Sequence, residues 1–113
     1  MADCIFCRIA AGEIPSNKLY EDDQLLAFYD LDPQAPTHFL VIPKAHIASV
    51  AEITPQNSAV VAHIYEVIAR LAAELGLEQG FRVVTNCGPQ GGQTVPHLHF
   101  HVLAGRDMTW PPG

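Results

Sequence analysis

Basic residues are scarce: six Lys and Arg stand against twelve Asp and Glu, a formal net charge of -6 over 113 residues. So few cations do not hold a polynucleotide by general phosphate neutralisation, and any nucleic-acid ligand must be small. Long apolar runs are missing too. Nowhere do about eighteen apolar residues stand together, and the opening MADCIFCRIA has no basic segment leading into an apolar stretch. Membrane spanning and secretion therefore lack a signal, and the cytoplasm is the expected compartment. Cysteines number only three, an odd count that suits metal or redox chemistry better than a disulfide framework. Repeats, low-complexity blocks and charge runs are absent, so a single domain over residues 1–113 is expected.

What is present suffices for a core. A hydrophobic content of 49% lets a chain of this size fold without covalent staples. Leu19 to Leu31 reads as a hairpin, with Glu21-Asp22-Asp23-Gln24 as a polar turn before the strand-like Leu25 to Tyr29. Pro33 and Pro36 force a loop, and Phe39-Leu40-Val41-Ile42, closed by Pro43, reads as a short buried strand. Thr54 and Pro55 then offer a cap and a first-turn proline to a long helix. Its apolar positions Val60, Val61, Ile64, Val67, Ile68, Leu71 and Leu75 recur at helical spacing until Gly76. Phe81 to Asn86 is the next strand, Gly88 to Gly92 a turn, and His97 to Leu103 the last strand. This order predicts an α+β fold with a mainly antiparallel sheet.

The last strand carries the chemistry. In His97-Leu98-His99-Phe100-His101-Val102-Leu103 the histidines alternate with apolar residues, so three imidazoles line one strand face, about 7 Å between neighbours. Such a row is costly to bury unless its nitrogens are hydrogen-bonded or metal-bound, which points to metal binding or catalysis. Just before it, Gly91 and Gly92 permit close approach of backbone N–H groups, and Gln93 and Thr94 add side-chain donors. Asp30, at a strand end, has two acceptor oxygens that suit either a ribose hydroxyl pair or a loop cap. Cys4-Ile5-Phe6-Cys7 spaces two thiolates for one tetrahedral ion whose other two ligands must be histidines, since no second such pair occurs. A thioredoxin-like reading expects this motif between a strand and a helix, and a zinc deaminase needs sequences that do not occur. Phosphate-cradling G-x-G-x-x-G and G-x-x-x-x-G-K-[ST] loops do not occur either. Cys87 is expected as a small buried residue and His63 on the helix surface.

The run His97 to Leu103 resembles the signature of the histidine-triad nucleotide-binding superfamily, three histidines each followed by an apolar residue. Tyr20 to Asp23, Ala27 to Asp30, Pro33 to Lys44, Gly91 to Val95 and the ending Trp110-Pro111-Pro112-Gly113 are similar to its Hint branch, so the likeness spans nearly the whole chain. The resemblance implies a five-stranded sheet with one long helix and a short N-terminal helix. It also implies a homodimer with a continuous sheet, Val83, Val84 and the long helix being interface material.

The resemblance further implies a purine nucleoside phosphoramidase, which splits the P–N bond of an AMP or GMP conjugate. His99 would be the nucleophile that takes the nucleotidyl group, and His101 would contact the phosphate and share a proton. Asn86, Gln93 and Thr94 fall at phosphate positions with His99 and His101. Phe6, Asp30, Leu31, His38 and Leu40 fall around base and ribose, and Trp110, in the tail 104–113, near a subunit boundary. Members that keep the two cysteines hold one structural zinc, here through Cys4, Cys7, His46 and His97. A metal-bound His97 cannot shuttle a proton. The rival readings are a dinucleoside polyphosphate hydrolase or nucleotidyl transferase using the same histidine, and a nucleotide-binding or interaction module without turnover.

Overall fold

The computed structural model describes residues 4–113. Helix α1 (Ile5–Ala10) is followed by strands β1 (Lys18–Glu21), β2 (Leu25–Tyr29) and β3 (Thr37–Pro43), a single 3-10 turn (Val50–Glu52), helix α2 (Ala59–Glu74), and strands β4 (Phe81–Val84) and β5 (Phe100–Ala104). All strands are antiparallel in the order β1-β2-β3-β5-β4, so β5 sits between β3 and β4. The fold is α+β, with the five strands and the two helices expected.

Helices cover both faces of this sheet, which explains why β2 and β3 are continuous apolar runs rather than alternating ones. Leu25, Ala27, Phe39, Val41, Phe100 and Val102 pack with Ile64, Val67, Ile68 and Leu71 of α2. The intervening residues Leu26, Phe28, Leu40 and Ile42 pack with Cys4, Phe6 and Ile9 of α1. α1 has only six residues, and α2 has sixteen, so the α1 face is only partly roofed. β5 alternates buried and half-buried because its second face meets that opening.

Several boundaries differ from the sequence reading, β3 for one running from Thr37 through Pro43. α2 begins at Ala59 instead of Thr54. The Asn57 carboxamide oxygen accepts from Thr54 N at 2.7 Å, and Thr54 O accepts from Ser58 N at 2.9 Å, which makes a separate turn at Thr54 to Ser58. β4 ends at Val84, and β5 begins at Phe100 rather than His97. Side chains take the ladder's place there: His97 O accepts from the His99 ring and His99 O from the Thr85 hydroxyl at 2.9 Å. Cys87 is exposed, not buried, its thiol 3.4 Å from Ser49 Oγ. His63 is half-buried on the α2 face turned toward the β1–β2 turn, where it meets Asp22.

Candidate functional site

Alternation along His97 to Val102 sends Leu98, Phe100 and Val102 into the α2-side core, and leaves the three imidazoles on the α1 side. His97 and His99 are buried and His101 is half-buried. Their fixed partners assign the protons.

His99 Nδ1–H donates to His97 O at 2.6 Å, so its Nε2 carries the free lone pair. His38 Nδ1 accepts from Gln34 N at 3.0 Å, which puts the His38 proton on Nε2. That proton is donated to His101 Nδ1 at 2.9 Å, so His101 keeps its own proton on Nε2. The His99 and His101 rings are 5.1 Å apart. One unprotonated and one protonated Nε2 therefore stand side by side. Burial lowers the His101 pKa to about 4, with the neighbouring His99 and His38 adding to it and Asp30 opposing.

Asp30 directly follows β2 and acts as a loop cap. Oδ1 accepts from Asp32 N at 2.8 Å, a loop cap, while Oδ2 lies 3.5 Å from His38 Nε2 and 4.0 Å from His101 Nδ1. Asp30, His38 and His101 are close enough to ligate an ion together, but both nitrogens of His38 are already engaged within the protein. Leu40 lies directly opposite His101 in the β3–β5 register. It is buried in the α1-side core.

The glycine turn is held by Gln93. Its Nε2 donates to Ala48 O at 2.7 Å and Val95 O at 3.0 Å, while Oε1 accepts from Gly88 N at 3.0 Å. Both amide hydrogens are thus used within the protein, one of them tying the turn to the segment after β3, so Gln93 shapes the turn rather than offering the free side-chain donor expected of it. Gly88 and Gly92 adopt positive φ of 75° and 81°, and a Cβ at Gly91 would collide with Cys87 O. Thr94 is exposed on this loop, and the half-buried Asn86 follows Thr85, the residue bonded to His99 O.

Phe6 is buried, with its ring edge-on to Phe28 at 5.7 Å and His99 at 5.0 Å, so it backs the site rather than lining it. The open apolar recess, about 80 Å³, is lined by Ile5, Ile9, Ile14, Phe28 and the 97% exposed Leu31, among others. Four of these residues escaped the sequence reading. The Ile5/Ile9 pair at i, i+4 was the signal available for them. Trp110 is 83% exposed. A larger cavity of about 350 Å³ lies between the β1–β2 turn and the start of α2, and neither it nor the recess has an imidazole or thiol in its lining.

The CxxC cluster lies directly behind the triad. His97 Nε2–H donates to Pro43 O at 2.8 Å, which turns the unprotonated Nδ1 toward Cys4 Sγ at 3.3 Å and Cys7 Sγ at 3.5 Å. His46 Nδ1 is 3.2 Å from Cys7 Sγ, and the four ligating atoms lie within 4.8 Å of one another. A tetrahedral ion bound at about 2.3 Å to sulfur and about 2.0 Å to nitrogen gives S···N edges of roughly 3.5 Å, so this donor set fits one. Without an ion, burial and the adjacent Cys4 push the Cys7 thiol pKa up, as expected when two sulfurs crowd together.

One antiparallel sheet, a long helix on one face and a row of tautomer-fixed imidazoles on the other define a histidine-triad fold. The HIT domain family model matches residues 11–108, and the chain belongs to that family. A solved histidine triad protein from Clostridium difficile is 55% identical, with a TM-score of 0.93 and 96% of each chain covered. A HIT family hydrolase from Legionella pneumophila is 50% identical, with a TM-score of 0.96 over 98% of this chain and 100% of that one. The 14 kDa zinc-binding protein of Zea mays is 46% identical over 111 residues, 96% of this chain and 87% of its own.

Proposed function

We propose that this protein is a purine nucleoside phosphoramidase, releasing AMP or GMP from a P–N conjugate through a covalent nucleotidyl-histidine. The observation that carries this reading is the 2.6 Å bond from His99 Nδ1–H to His97 O, which leaves Nε2 unprotonated beside the protonated Nε2 of His101. His99 Nε2 attacks the α-phosphorus, the P–N bond breaks with its electron pair going to nitrogen, and the departing amine takes a proton from solvent while the neutral His101 Nε2–H hydrogen-bonds to the reacting group. Water then attacks phosphorus, the P–N bond to His99 breaks, and the water's proton is released to solvent, which restores the starting protonation state. Charge on the non-bridging oxygens is met by His101, Asn86, Thr94 and the backbone of the Gly91–Gly92 turn, whose shape Gln93 maintains. Asp30 holds the ribose through the carboxylate oxygen its loop cap leaves free. His38, Leu40 and Leu31 bound the nucleoside, and Phe6 backs that wall.

Cys4, Cys7, His46 and His97 would hold one zinc, a reading supported by their fit to a tetrahedral ion and by the printed name of the maize relative. The ion supplies structural cross-linking when bound. The active assembly in this reading is a homodimer of single-domain chains. Its sheets continue through the open edge of β4 at Val83 and Val84, with α2 alongside, and tail 104–113 brings Trp110 to the partner's site.

Hydrolysis of adenosine 5′-phosphoramidate and of diadenosine tetraphosphate, each with and without His99→Ala, tests the reading. Release of AMP from the phosphoramidate, lost in the variant, is the expected result. Preference for the polyphosphate would make the protein a polyphosphate hydrolase. Nucleotide binding with no turnover of either would make it a binding module.

A further inference from the structure

The Cys4/Cys7/His46/His97 cluster touches both halves of the nucleotide site. Cys4 caps α1, its sulfur accepting from Cys7 N at 3.3 Å, and both thiols therefore sit on this helix's first turn. Between them in sequence is Phe6, whose ring meets His99 at 5.0 Å and His97 at 6.0 Å. Ile5 and Ile9 of the same helix line the apolar recess. A six-residue helix is far too short to persist by itself, so the wall it makes depends on what anchors it.

The second connection runs through His97. Its Nδ1 faces the thiols, its Nε2–H is held by Pro43 O, and its carbonyl receives the His99 Nδ1 proton. Any shift of His97 that follows the loss of an ion acts at once on the bond that fixes the His99 tautomer. His46 brings in a third segment, just after β3, and cross-links it to α1.

We infer that the ion cluster and the nucleotide site are thermodynamically coupled: zinc at the four ligands tightens nucleotide binding, and nucleotide tightens zinc by the same factor. This rests on the nucleotide-site reading above and deepens it. It makes the CxxC cluster a control point on nucleotide affinity, beyond a staple for the fold. Linkage requires the two effects to be equal, and couplings of this kind typically span about 5- to 150-fold. An ordered α1 wall that the nucleotide need not organise for itself is the physical source.

The test uses the full chain, first stripped with a chelator and then reloaded with zinc. AMP affinity is measured by calorimetry in both states, and zinc affinity by competition with a chromophoric chelator with and without saturating AMP. About tenfold weaker AMP binding in the stripped chain, matched by about tenfold tighter zinc binding with AMP, is expected. Where the stripped chain does not stay folded, His46→Ala, which keeps both thiols and His97, carries the same pair of measurements. An AMP Kd that ignores zinc, with zinc affinity that ignores AMP, overturns the coupling and leaves the nucleotide site standing. Failure of the zinc-loaded chain to bind AMP at all overturns the nucleotide reading itself, and the coupling with it.

Discussion

Two aspartate–histidine groups flank β2, one at each end, and the protein drives their histidines in opposite directions. Before the strand, Asp22 Oδ2 meets His63 Nε2 at 2.7 Å. That carboxylate also accepts from the Tyr20 hydroxyl at 2.7 Å and from the N–H groups of Gln24 and Leu25, both at 2.8 Å. Burial works to raise the Asp22 pKa, but these four bonds outweigh it and hold the carboxyl far below its usual range. The hydrogen bond to Asp22 raises the His63 pKa, with Glu66 adding to it. After the strand, Asp30 has spent one oxygen on Asp32 N, and its other oxygen stands 4.0 Å from His101. Burial and two imidazole neighbours then dominate, and His101 remains neutral. The same two residue types thus give a charged clamp between helix and turn in one place and a neutral hydrogen-bonding imidazole in the other. Distance, burial and the company each carboxylate keeps make the difference.

The largest effect that should separate them is on turnover. His101→Ala should lower phosphoramidate kcat by about 10²- to 10⁴-fold while the thermal midpoint moves little, whereas His63→Ala should leave kcat within about twofold. Steady-state kinetics on both variants decide it, and equal losses would erase the distinction. Next comes stability. Asp22→Asn should cost about 1–3 kcal/mol in denaturant unfolding, because four donors lose a charged acceptor. Its kcat should be unchanged.

Smallest is the effect of pH, where the two histidines should act with opposite signs. A raised His63 pKa contributes stability that is fully present below the unfolded value near 6.5 and is lost as pH rises through its folded value. His101, lowered to about 4, is protonated first in the unfolded chain, so it withdraws stability as pH falls from near 6.5 toward 4. NMR titration of the imidazole protons should place the His63 midpoint above, and the His101 midpoint below, the ordinary histidine value. A reversed order would break the comparison.

The sequence made one of these groups readable and hid the other. Strict alternation from His97 to Leu103 and the likeness around it pointed to His99, His101, Asp30 and His38 before any coordinates. The clamp pairs residues 41 apart, and only the rotation of α2 over the β1–β2 turn brings His63 to Asp22. The Cys4–Cys7 spacing announced an ion, and the fold supplied the two histidine nitrogens at the right edge lengths. Proton placement was beyond sequence, because it depends on tertiary acceptors, Pro43 O for His97 and His97 O for His99. Gln93 looked like a phosphate donor because an amide on a glycine turn is one until its neighbours use it. The start of α2 was misplaced because Asn57 bonds back to Thr54.

The most direct measurement is the stereochemical course at phosphorus. A P-chiral thiophosphoryl analogue of adenosine 5′-phosphoramidate is hydrolysed in heavy-oxygen water, and the configuration of the product is read by phosphorus NMR. Two successive displacements, first by His99 Nε2 and then by water, predict net retention. Net inversion would mean that water attacks directly and that His99 is not the nucleophile.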